Sequence, residues 1–147
     1  GMNHIPLDYF TSSFKHTFPE LGITSNIIID SESSKKLSQF LSRIVDIIDS
    51  QTDEHFILDS AHILPDDIIK YLNPDKWDIY YIGYPNTTSE EKLEEVNKYT
   101  KGGWIAKKSK EELLETFTKL IELSSNMEET CRNNNVNYIG FIPYLIA

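Results

Sequence analysis

The sequence predicts an α/β fold, a three-layer αβα sandwich on a mostly parallel sheet. Short apolar runs of strand length, HFILD at 55–59, WDIYYIG at 77–83 and the apolar stretch from 136, alternate with longer stretches whose apolar residues recur at helical spacing. Strands separated by amphipathic helices pair in parallel, because the crossover returns the chain to the same end of the sheet. The 147 residues, 17.0 kDa, hold no internal repeat, low-complexity tract or linker, so one domain is expected over 1–147.

Ile5 to Leu7 reads as a short extended entry, and Asp8 stands where an N-cap would open a helix through Tyr9, Phe10 and Phe14 toward Phe18. Pro19 to Ser25 is a break, and NIIID at 26–30 reads as a brief buried strand or an apolar loop. From Glu32 to about Ser50, Leu37, Phe40, Leu41, Ile44, Val45, Ile47 and Ile48 mark an amphipathic helix. HFILDS follows as a strand, then Pro65 opens a small helix to Tyr71, since its missing N–H would lack an intrahelical partner there.

WDIYYIG is the strongest strand, rich in aromatic and branched residues and stopped by Gly83 and Pro85. Thr88 with Glu91 and Ser109 with Glu112 both have capping-box spacing. The first opens a helix carrying Leu93 and Val96; the second opens a long helix carrying Leu113, Leu114, Phe117, Leu120, Ile121 and Met127. Gly102-Gly103 is a joint between them. VNYIGFIPYLIA then reads as one strand, or two short ones bent at Gly140 or Pro143.

Composition removes several function classes. A net charge of −9, with 23 acidic against 14 basic residues, argues against a nucleic-acid face or an anionic-membrane face, because phosphate binding depends on Lys and Arg. Only Arg43 and Arg132 are arginines. One cysteine, Cys131, forms no internal disulfide and reads as a small buried hydrophobe, and no Cys/His spacing suggests zinc. No apolar run reaches membrane-span length and no signal-peptide pattern opens the chain, so a cytoplasmic protein is expected. Gly1 before Met2 reads as a residue left by tag removal.

Asp59 at the end of HFILD, Asp8 and the GYPNTT turn fall at the carboxyl ends of expected strands, where α/β sheets collect ligands. The order IPLDYF, an amphipathic helix, HFILDS followed by a histidine and LP, IYYIGYP leading into SEEKL, a tryptophan in a Gly- and Lys-rich stretch, and a helix ending MEETCRNNNVNYI resembles the P-loop small-molecule kinases. That broad group includes adenylate kinase, shikimate kinase and zeta-toxin-like phosphotransferases, and the resemblance spans roughly residues 5 to 139. It implies ATP and Mg2+ as cofactors and a small-molecule phosphate acceptor as partner. By the resemblance, Asp8 binds or deprotonates the acceptor hydroxyl, with Tyr9, His62 and Trp104 as substrate-binding candidates. Asp59 assists the metal and counts among the catalytic residues. Asn86 to about Lys108 forms a lid with Lys101 and Lys107 toward the nucleotide.

One departure qualifies this. The group's GxxxxGK[ST] loop, whose backbone N–H groups cradle phosphates, occurs nowhere in the 147 residues. The loop's strand is central in the group, so its loss leaves a slot, and residues 138–146 are expected to pair within the sheet, in that slot or by exchange with a second copy. The expectation is therefore an N-terminally truncated kinase-like phosphotransferase. Its alternative is a non-catalytic, dimeric binding module of the same ancestry. A third reading makes Asp8, Asp59 and His62 the acid-base set of an unrelated enzyme such as a hydrolase.

Each residue also has a plainer role: Asp8 as a helix cap, Asp59 as a turn cap, His62 as a structural histidine, the lysines as a solvated face, and Trp104 as a packing anchor.

Overall fold

A computed structural model describes residues 1–73 and 75–141. The protein is mixed α/β and divides into two compact units, Gly1–Trp77 and Asp78–Ala147.

In the first unit, strand β1 (Met2–Pro6) pairs in parallel with β2 (His55–Asp59), in the register Met2 with His55 through Pro6 with Asp59. Between them run helices α1 (Asp8–Thr17) and α2 (Ser31–Gln51). Leu37, Leu41, Val45 and Ile48 are buried along one face of α2, matching the helical periodicity of the sequence. Fully burying one such side chain contributes about 1.5–3 kcal/mol. Phe10 and Phe14 of α1 meet Phe40 of α2 with ring centroids 5.4 and 4.9 Å apart, the second pair edge to face.

NIIID is a loop rather than a strand. Its last residue, Asp30, is the N-cap of α2 and accepts from the Ser33 amide at 2.8 Å, so the run ends in a helix start. The short helix α3 (Pro65–Ile68) begins at Pro65 as expected and ends three residues before Tyr71. A buried network ties it to α2. The Leu64 amide donates to Ser34 Oγ at 2.8 Å, and that hydroxyl donates to Asp67 Oδ2 at 2.6 Å.

In the second unit, β3 (Tyr80–Gly83) pairs in parallel with β4 (Asn137–Gly140). The strand is shorter than WDIYYIG, starting at Tyr80. Helices α4 (Ser89–Tyr99) and α5 (Lys110–Asn133) are opened by two complete capping boxes, Thr88 with Glu91 and Ser109 with Glu112, as their spacing predicts. Leu93 and Val96 of α4 pack with Leu113 and Phe117 of α5, and Ile105, Leu114 and Leu120 cover that cluster. The segment expected as a lid therefore supplies two core residues. Gly102 and Gly103 turn the chain at φ 106° and 68°, values that favour glycine.

α5 ends in a left-handed turn: Asn135 has φ 55° and the Val136 amide returns to the Cys131 carbonyl at 2.9 Å. Residues 138–140 pair with β3, and the Phe141 amide extends the ladder to the Gly83 carbonyl at 2.7 Å. The rest of the expected 138–146 pairing lies outside the described residues. No described helix is long and apolar enough to cross a membrane.

Candidate functional site

The carboxyl end of the β1–β2 pair gathers the polar side chains with most chemical potential. The Leu7 amide donates to the Asp59 carbonyl at 2.8 Å, so the last residue of β2 lies beside the turn from β1 into α1. This brings Ser60 and His62 to the Asp8 side chain, while the Asp59 side chain contacts His4.

Asp8 corrects its plainer reading. The N-cap position belongs to Leu7, which makes no side-chain cap bond, and Asp8 is the first helical residue. Its side chain reaches the turn after β2. There Oδ1 accepts from the Ala61 amide at 3.2 Å and from Ser60 Oγ at 3.4 Å. His62 Nε2 lies 3.9 Å from the same oxygen, too far for a direct hydrogen bond, with a side chain only 14% exposed. The Asp8 side chain is 44% exposed, and no described residue bonds its Oδ2. One oxygen is thus fixed by donors, and the other takes no bond from a described residue.

Asp59 does not cap the turn either. Its Oδ2 contacts His4 Nε2, and both side chains are more than half exposed. His4 and Ser60 are the residues the sequence reading missed. His4 lies outside IPLDYF, and only the parallel register, two residues before the Pro6–Asp59 pair, brings it to Asp59. Ser60 follows Asp59 directly, but its partner is fifty-two positions away.

Ser60, His62 and Asp8 have the residue types of a hydrolytic triad without its order. Nucleophile activation needs the serine hydroxyl bonded to the imidazole. Here Ser60 Oγ donates to Asp8 and accepts from the backbone amide of His62 at 3.1 Å. The set orients a carboxylate.

No family model matches the chain, and neither a curated protein nor a solved structure matches it. The site stands on its geometry.

The remaining expected residues fall elsewhere. Tyr9 is 73% exposed at the start of α1. Trp104, Lys101 and Lys107 belong to the second unit. The Trp104 ring meets Phe117 at 6.3 Å in an edge contact, so it packs against that unit's core, while Lys101 and Lys107 are exposed. A groove of about 770 Å3 lies between α4 and α5, floored by Leu93 and Leu113 with Glu94 and Lys108 at its edges. Near β3, burial and the Glu95 carboxylate raise the Tyr84 phenol above its ordinary pKa, and Lys92 Nζ sits 4.2 Å from that ring's centre.

Among the described residues no group of three or more His, Cys, Asp or Glu could hold a metal ion. Asp59, the expected magnesium-side carboxylate, already has one oxygen on His4. The sequence GxxxxGK[ST] does not occur in the 147 residues.

Proposed function

We propose that the chain carries the acceptor side of a kinase-like small-molecule phosphotransferase, with Asp8 as the carboxylate that receives an acceptor hydroxyl. The observation that carries this reading is the asymmetry of Asp8, with Oδ1 tied to Ala61 and Ser60 and Oδ2 open. A carboxylate held this way accepts a hydroxyl proton without first reorganising. His62, mostly buried beside it, narrows the approach.

The build supports the same ancestry. A kinase-like sheet without its central first strand would consist of two separate parallel pairs, each with crossover helices, and the described residues form two parallel pairs. The three-layer sandwich expected from the sequence belongs to this proposal. A second reading, a non-catalytic binding module of the same ancestry, is favoured by the absence of a glycine-rich phosphate loop from the 147 residues.

Calorimetric titration of MgATP, with Asp59→Asn as control, separates the two. Heat that weakens in the variant supports a nucleotide site and the transferase. No heat at millimolar nucleotide, together with binding of a hydroxylated small molecule that Asp8→Asn abolishes, supports the binding module. Loss of neither signal in the variants would sink both readings.

A further inference from the structure

The second unit carries a groove that the acceptor reading of Asp8 does not use. It holds about 770 Å3, within the range of small-ligand pockets, about 300–1,000 Å3. α4 lines one side and the start of α5 the other, and the joint between them adds Gly102, Ile105 and Ala106. Leu93 and Leu113 are buried beneath it, and Ile105 and Leu114 are half-buried at its surface.

Both signs of charge line this one space. Glu90 and Glu94 stand one turn apart on α4, a spacing at which like charges repel. Lys108 and Lys110 line the groove from the other side. Ser89 Oγ donates to Glu90 at 3.0 Å, and Glu112 and Glu115 lie in the field of Lys108. The side chains of Glu94 and Lys110 bond no described residue, so the opposite charges share the groove without closing an ion pair across it. Asn97 and Thr100, further along α4, likewise have no side-chain bond to a described residue.

Acids alone would suit any cation, and lysines alone any anion. The two together, beside apolar side chains, suit a molecule that carries both charges and an apolar body. The amide of Asn97 and the hydroxyl of Thr100 each donate and accept, which matches peptide groups rather than a hydrocarbon chain. From Glu90 to Thr100 the α4 side runs about 15 Å at helical rise, the length of an extended peptide of about four residues.

We infer that this groove binds a short apolar peptide with free termini, its ammonium at Glu90 and Glu94, its carboxylate at Lys108 and Lys110, and its side chains on Ile105 and Leu114. The site is independent of Asp8 and adds a binding function to the second unit.

The test uses trileucine, its N-acetyl form and its C-terminal amide, one apolar skeleton with one charge removed in each blocked form. Titrated by calorimetry into the 147-residue protein, the free peptide should bind about two- to fivefold more tightly than either blocked form, the scale of one exposed ion pair. Glu94→Gln should shrink the advantage over the acetylated peptide and leave the advantage over the amide. Lys110→Gln should do the reverse, and rising salt should erode both in the unsubstituted protein. Circular dichroism of the two variants establishes that they are folded.

The inference is overturned if no form binds at millimolar concentration, if the blocked forms bind as well as the free peptide, or if each substitution weakens all three ligands alike. An amide that binds more tightly than the free peptide would assign the groove to a simple cation. Trialanine binding as tightly as trileucine would remove the apolar contact, and either result overturns the reading.

Discussion

Asp8 Oδ1 accepts a hydrogen bond from the backbone amide of Ala61 at 3.2 Å, tying the first turn of α1 to the segment after β2. The bond has a structural and a chemical face, and two substitutions separate them. Asp8→Asn keeps an acceptor oxygen for Ala61 and Ser60 and should leave the urea midpoint nearly unchanged. Asp8→Ala removes it and should cost about 1–3 kcal/mol, since the bonds from Ala61 and Ser60 are both lost. A ligand signal lost in both variants, with stability lost only in the second, is the expected pattern.

Ser34 and Ser38 lie one turn apart on α2 and are both fully buried, yet their substitution should have opposite consequences. Ser34→Ala strips partners from the Leu64 amide and the Asp67 carboxylate, and should destabilise by about 1–3 kcal/mol. Ser38 Oγ is buried with no hydrogen-bond partner among the described residues. Ser38→Ala removes that orphan and raises helix propensity, so it should be neutral or stabilising by up to about 1 kcal/mol. Urea unfolding of the two variants side by side decides it; equal losses would contradict the network.

Gly83 ends β3 where a side chain would collide with its neighbours. A Cβ there would overlap the Tyr138 hydroxyl and lie 2.8 Å from Ser124 Oγ. Gly83→Ala should therefore destabilise by about 1–3 kcal/mol, as overpacking does. Adding Tyr138→Phe removes one of the two clashing atoms, so the double variant should recover part of the loss. Strict additivity in thermal unfolding would show that the two positions are not coupled.

Acid should loosen the starts of α4 and α5 first. Backbone donors at Thr88 and Ser109 hold the Glu91 and Glu112 carboxyls below their ordinary pKa of 4.5. Each is depressed in the folded state, so its contribution is complete above the unfolded value and is lost as pH falls through the folded one. Helicity followed by circular dichroism should be flat near neutrality and decline below about pH 4.5. Glu91→Gln and Glu112→Gln together should flatten that decline, because glutamine caps without titrating.

Helices were the most legible part of the sequence, because their signals are local. Thr88 with Glu91 and Ser109 with Glu112 announced two starts at the right residue, and the Leu37 to Ile48 periodicity announced the buried face of α2. Strand limits were less legible, as WDIYYIG shows by pairing only from Tyr80. The three-residue spacing from Asp30 to Ser33 is there to be read, but the three isoleucines before it leave a strand and an apolar loop both open. At the candidate site, Asp8, Asp59 and His62 could be picked by type and position. Their partners could not. His4 and Ser60 matter only through pairing across fifty or more residues, which no local pattern encodes.

The parallel pairing of β3 with β4 also bears on how the protein comes off the ribosome. β3 is complete at Gly83, but its partner begins at Asn137, so that ladder cannot close until the chain has been made through β4. The α4–α5 hairpin needs only Leu93 to Phe117 for its apolar cluster and can collapse earlier. Synthesis therefore favours helices first and strands last. During that interval Tyr80 and Ile82 wait on an unpaired strand, which makes nascent-chain contacts at this segment the point where a chaperone would act.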